Sequence, residues 1–274
     1  MITKNYDFST FFKDVSVPTD ASRQRSISYR EHYGSRPDVD TFYLIYDLRP
    51  PIRIKWACNT DQVLGKNNIT YEDIAFGVHP EWRPVFLNIT SAAYQVAAKY
   101  PEVFAREKLS YHINLPIRHN DGHHIWFRHY TVPIEFDEHG GMAAHFSLYR
   151  YVEKYRGYLQ MRPLIMEGRK RRIDLENEIL TIAEANFSEA FLYPLRDAEK
   201  SMLSSYRELI KREHRTEKNL PTAQEIAAFT GRPLATIRTY NHRILDAVRP
   251  VFPLIDYETV AELAYLMEWT FGKE

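Results

Sequence analysis

Between Lys218 and Arg243 the chain gathers side chains able to grip a phosphate or read the edge of a base. An arginine such as Arg238 can fork onto the two acceptors of guanine, and an asparagine such as Asn241 onto adenine. Thr236, Thr239 and His242 can take a phosphate or a base edge, while Lys218, Thr222, Arg232 and Arg243 suit contacts to a nucleic-acid backbone. Spacing matters as much as type. Leu234, Ile237, Ile244, Leu245 and Val248 recur on one side of a helix, which leaves Thr236, Arg238, Thr239, Asn241, His242 and Arg243 on the other.

A second, shorter helix must precede that one. Thr222 is a ready N-cap, and Glu225 three residues later completes a capping box. Ala227 keeps the first helix slim where the second passes close, Gly231 supplies the freedom of the turn, and Pro233 opens the next helix, where a missing amide proton costs little. Two short helices joined in this way make a helix-turn-helix. Glu225-Ile226-Ala227 followed by TIRTYNHRIL resembles the LuxR-type DNA-binding module, whose members read EIA, then TV(K/R)TH, then IL, with the interval seen here from Ile226 to Thr236. Thr230, Arg232, Pro233 and Tyr240 depart from that pattern. The resemblance implies a second helix inserted in the major groove of double-stranded DNA.

Upstream the period changes. FYLIYDL and IRIKWAC read as strands, followed by helical pieces around NITYEDIAFGVHPEW and by the long helix RPVFLNITSAAYQVAAKYPEVFAR. Three more strand candidates, KLSYHINLPIRH, HHIWFRHYTVPIEFD and MAAHFSLYRYV, are separated by hairpin-type turns at Asn120-Asp121-Gly122 and Glu138-His139-Gly140-Gly141. The expectation is an α+β chain, with a five-stranded antiparallel sheet carrying helices on one face, followed by an all-α helix-turn-helix domain. Arg118, Asp121, Gly122, Trp126, Pro133, Asp137 and Gly140, with His79-Pro80, make this half resemble a PAS sensory domain of the subclass that reads R-x-DG-x-x-x-W. That resemblance implies a small-molecule sensor or a dimerisation module. The boundaries expected are a helical cap and linker over 1–40, the PAS domain over 41–154, a helical connector over 155–194, and the DNA-binding domain with its final helix over 195–274.

An apolar pocket between the sheet and the long helix, lined by residues such as Phe76, Phe86, Ile113 and Phe146, would admit a small organic ligand; a filled core is the competing outcome. Cys58 follows a strand instead of sitting in the NCR-like helix motif of the flavin-binding branch, so no flavin is expected. Seven histidines fall between His112 and His145. His123 and His124 point to opposite faces of a strand, and His123 to His129 spans about 20 Å, so no metal or haem is expected. His119 and His123 could face each other across the Asp-Gly turn, and His112 could lie near His129 or Tyr130 across the hairpin.

The 274 residues carry 36 basic and 36 acidic groups, which argues against bulk nucleic-acid packaging. The charge is unevenly spread: eleven Lys and Arg against seven Asp and Glu over 195–250, then one Lys against five acids over 251–274. Lone Cys58, a start without signal-peptide layout and no long apolar run point to a cytoplasmic protein without membrane contact. No phosphate loop, nucleophile elbow, H-E-x-x-H or Cys-His framework is present, so an enzyme is not expected. The reading is a homodimeric transcription regulator with a sensory half. Its rival is a ligand- or partner-binding scaffold whose helix-turn-helix has lost DNA.

Overall fold

The computed structural model describes residues 8–105, 109–156, 160–250 and 257–272. Asp7, at the head of the expected amphipathic start, Lys108, at the head of the third strand candidate, and Pro253, before the final helix, lie outside the described residues. The chain divides into two compact units, one reaching to Ile182 and one beginning at Ala183.

The first unit opens with a 3-10 turn at Phe8–Phe11 and helix α1 (Asp20–Ser35). Strands β1 (Thr41–Asp47) and β2 (Arg53–Cys58) follow, then helices α2 (Thr60–Leu64), α3 (Tyr71–Ala75), α4 (Arg83–Lys99) and α5 (Pro101–Phe104). Strands β3 (Leu109–Arg118), β4 (His124–Phe136) and β5 (Met142–Lys154) return to the sheet, joined by short β6 (Leu164–Glu167) and β7 (Lys170–Arg171). Their order is β2-β1-β5-β4-β3-β6-β7, antiparallel throughout.

The expected five-stranded sheet is therefore corrected to seven strands. All five strands read from periodicity form, but the stretch taken as helical connector first extends the free edge of β3. Pro163 precedes an extended Leu-Ile-Met run, and Gly168, at φ +62°, opens a two-residue hairpin turn into β7. Strands of four and two residues are too short for alternation to show in sequence. What holds them is long-range: buried Glu176 accepts from the Ile165 amide at 2.9 Å and pairs with Arg171 at 2.7 Å. Glu176 belongs to α6 (Ile173–Phe191), the helix that follows β7.

Helices also cover both faces of the sheet instead of one. β1 is buried along its whole length, which is what its unbroken FYLIYD run demands of a strand covered on both sides. Tyr43, Ile45, Val132, Ile134, Ala144 and Phe146 form the apolar face, onto which α1 lays Tyr29 and Tyr33. The Tyr33 ring stacks on Phe146 with centroids 4.7 Å apart, and Tyr29 tilts over it at 4.8 Å. The polar stretch read as linker thus forms a 16-residue helix, capped by Thr19, whose inward stripe is Ser22, Ser26, Tyr29 and Tyr33. Two serines in that stripe hide its periodicity. The opposite face looks toward α3 and α4.

The second unit contains the later part of α6 with α7 (Asp197–Arg212), α8 (Ala223–Thr230), α9 (Leu234–Val248) and α10 (Val260–Phe271). Its core joins Met202, Leu203, Tyr206, Leu209 and Ile210 of α7 to Ile226, Ile237, Ile244 and Val248, with Leu263, Met267 and Phe271 of α10. Arg207 bridges Glu184 and Glu268, tying α6, α7 and α10.

Truncating a side chain locked on the apolar face costs transfer energy and leaves a cavity. Phe146→Ala is expected to lower stability by about 3–5 kcal/mol, whereas Phe76→Ala, at a position 57% exposed, should stay within roughly 0.5 kcal/mol. Urea unfolding curves of the two variants check the contrast.

Candidate functional site

Two places gather functional chemistry, one in each unit. In the first, a cavity of about 100 Å³ lies between the sheet and helices α3 and α4. Aromatic residues dominate its wall, and among the described residues no Asp, Glu, Lys or Arg lines it. Its polar side comes from the strands, through a period-2 alternation in which His129 and Thr131 of β4 face His145, Ser147 and Tyr149 of β5. The Ser147 hydroxyl is the hub, 3.0 Å from His129 Nε2, 3.0 Å from Thr131 Oγ1 and 3.1 Å from His145 Nδ1. His129 stacks on Tyr149 at 4.3 Å, His145 on Tyr46 at 4.7 Å, and the Tyr46 and Tyr149 hydroxyls share a 2.9 Å hydrogen bond.

Two buried polar atoms of the wall have no hydrogen-bond partner among the described residues: the Tyr111 hydroxyl and His129 Nδ1. A buried polar group left without a partner costs on the order of 1–3 kcal/mol, so a small molecule that supplied partners would regain it. Burial holds the His129 imidazole well below its ordinary pKa, with His145 and His112 adding to the effect, and burial alone takes His145 down to about 3. Both rings are neutral hydrogen-bonding groups at neutral pH.

Of the four residues named for the pocket, Phe86 lines the cavity. Ile113 pairs with His129 across β3 and β4, so it lies on the same face, buried beyond the wall. Phe146 lies on the opposite face, under α1, and Phe76 ends α3 exposed to solvent. Tyr111, His129, His145 and Tyr149 were not named for the pocket from the sequence. Their signal is the polar residue at every second position of strands whose alternate residues are apolar: His129 and Thr131 against Val132 and Ile134, His145 and Ser147 against Phe146 and Leu148.

In the second unit, Thr222 caps α8 and exchanges hydrogen bonds with Glu225, its hydroxyl accepting from the Glu225 amide at 3.2 Å. The Thr222 amide, then Arg215, hold the Glu225 carboxyl down to about 2. Gly231 ends α8 at φ +68°, the left-handed conformation that glycine adopts most readily, and Pro233 stands at the N-cap of α9. Ile237, Ile244 and Val248 are buried along one side of α9. Arg238, Thr239, His242 and Arg243 are exposed along the other, and Thr236 is half-buried.

The remaining polar residues are placed differently. Asn241 turns inward: its amide nitrogen donates to the Tyr206 hydroxyl at 2.7 Å, and its carbonyl oxygen is buried. Arg232 is exposed in the turn, with its guanidinium 5.7 Å above the Tyr240 ring. Lys218 is exposed on the 3-10 turn Glu217–Asn219. His242 lies 3.2 Å from Asp246, one turn further along α9.

None of the described helices is long and apolar enough to cross a membrane. No protein-family profile matches the chain, and no curated protein sequence matches it. Among solved structures it is similar to the phage VqmA-DPO complex at 14% identity, over 91% of this chain and 90% of that one, with a TM-score of 0.28. It is also similar to the Vibrio cholera VqmA-ligand-DNA complex at 12% identity, over 90% of this chain and 88% of that one, with a TM-score of 0.25.

The two neutral histidines give a pH test. Their folded-state pKa values are depressed, so on acidification the unfolded chain takes up protons first. The stability they confer is intact above about pH 6.5 and declines as pH falls toward the folded-state value, about 3 for His145. Between pH 7 and pH 5 His145 should cost roughly 2 kcal/mol. Urea unfolding of the natural protein and of His145→Gln at both pH values should show the variant losing less on acidification.

Proposed function

We propose that the chain is a sequence-specific DNA-binding transcription regulator whose first unit senses a small molecule. The observation that carries the DNA half is the row Arg238, Thr239, His242 and Arg243, exposed along α9 while Ile237, Ile244 and Val248 anchor the other side of that helix. A helix anchored in this way can enter a major groove with its polar side leading. Arg238 would fork onto guanine, Thr239 and His242 would meet neighbouring base edges, and Thr236 would follow at the rim. Lys218, Arg232, Arg243 and the Thr222 backbone region would hold phosphates. Asn241 supports the row by bonding α9 to α7 through Tyr206. As a two-fold dimer the protein would read half-sites about 34 Å apart.

The sensory half rests on the cavity. A wall uncharged among the described residues, neutral imidazoles and aromatic faces favour a small neutral planar molecule with polar atoms for the Tyr111 hydroxyl and His129 Nδ1. A void of about 100 Å³ is of the order of an engineered cavity of roughly 150 Å³ that takes up benzene. The roles are of binding, not of turnover.

Selection of bound fragments from random DNA by the full-length protein tests the reading and yields the operator. On that operator Arg238→Ala should lose about 1–3 kcal/mol and relax selectivity at one position, and Lys218→Ala should weaken all sequences alike and reduce the salt slope by about 1. No enriched sequence, together with affinity insensitive to salt, would leave the ligand-binding scaffold in its place.

A further inference from the structure

A third cluster lies in the first unit, apart from the cavity, at the turn between β3 and β4. His119 and His123 face each other across it: the His119 amide donates to the His123 carbonyl at 2.8 Å, and the Gly122 amide to the His119 carbonyl at 3.0 Å. Their rings stack with centroids 4.8 Å apart and planes 21° from parallel. The Asp121 carboxylate sits beside both, with Oδ1 2.9 Å from His119 Nδ1 and in contact with His123 Nδ1. One donor atom from each of the three residues lies within 4.8 Å of the other two.

We propose that His119, Asp121 and His123 bind a divalent transition-metal ion of the zinc class. Two imidazoles and one carboxylate are a donor set that zinc accepts, and its ligand distances of about 2.0–2.2 Å put neighbouring donors roughly 3.4 Å apart in a tetrahedron. The two carboxylate-to-imidazole separations lie below that value and no pair of donors exceeds 4.8 Å, so side-chain rotations bring all three donors onto one ion. Asp121 and His123 are open to solvent, which leaves the fourth position to water or to an incoming ligand.

The turn is seated, not free. The Asn120 amide donates to the Leu64 carbonyl at 2.9 Å, anchoring the loop to the end of α2. Gly65, at φ +70°, lies directly behind it, where a Cβ would come within 3.0 Å of Asn120 and 3.3 Å of the His119 ring. The absent side chain leaves the space that the His119 imidazole occupies. An ion held here clips together the ends of β3 and β4, the strands that carry Tyr111 and His129.

The test is titration of chelator-treated, full-length protein with Co2+, whose visible absorption reports a tetrahedral site, followed by displacement with Zn2+. One saturable equivalent is expected, with affinity at least tenfold weaker in Asp121→Asn and in His119→Gln/His123→Gln, and unchanged in His139→Gln, a histidine exposed elsewhere on the surface. Binding to the folded state alone raises the thermal midpoint, so Zn2+ should raise that of the natural protein and of His139→Gln only. Circular dichroism of the metal-free variants confirms that they remain folded. No saturable Co2+ signal in the natural protein, or an equal affinity in Asp121→Asn, overturns the site and leaves a hydrogen-bonded turn.

Discussion

Helices cover both sides of the sheet in the first unit, and along β4 and β5 the two sides differ in chemistry, apolar under α1 and polar at the cavity. Side chains alternate along a strand, so β4 and β5 must satisfy both environments in a single register. Phe146 goes under Tyr29 and Tyr33 while its neighbours His145 and Ser147 go to the cavity. A slip of one residue would drive imidazoles and hydroxyls into the apolar layer and phenyl rings into the polar one. The register is therefore held by the cost of burying unpaired polar groups as well as by apolar area.

The cavity follows from that constraint. Most of its polar side chains come from strands, with Tyr71 of α3 and Thr90 and Tyr94 of α4 completing the wall, and the imidazoles and hydroxyls of β4 and β5 meet in the network around Ser147. Outside it, Tyr111 and His129 Nδ1 stand where the wall is otherwise aromatic. A site in which few polar groups are left over, at defined positions, discriminates by what it would leave unpaired.

The second unit solves a different problem, presenting one side of a short helix while hiding the other. α9 is held by three buried aliphatic residues and by the Asn241–Tyr206 hydrogen bond. The Thr222–Glu225 capping box and Gly231 set where α8 begins and ends, and so set the angle at which α9 leaves the turn. The exposed residues on α9 contribute little to this framework, which leaves their identities to be chosen for contact.

Sequence alone determined what depends on near neighbours. The capping box from Thr222 to Glu225 and the glycine turn at Gly231 rest on interactions within a few residues, and the apolar stripe of α9 and the five longer strands announce themselves by local periodicity, so type and spacing suffice to read them. Tertiary structure decided what depends on distant partners. The helical linker α1 was hidden by serines that become an apolar-facing stripe only against the sheet, and β6 and β7 exist because Glu176 satisfies Ile165 and Arg171 from another element. Phe86 was legible as a cavity residue and Phe146 was not placed there, because alternation says that neighbouring residues part company without saying which face is which. Asn241 reads as an outward contact in a helical projection, yet a hydroxyl on α7 draws it inward. Local patterns encode local free energy, whereas the side of a strand or helix that becomes interior is set by whatever packs against it.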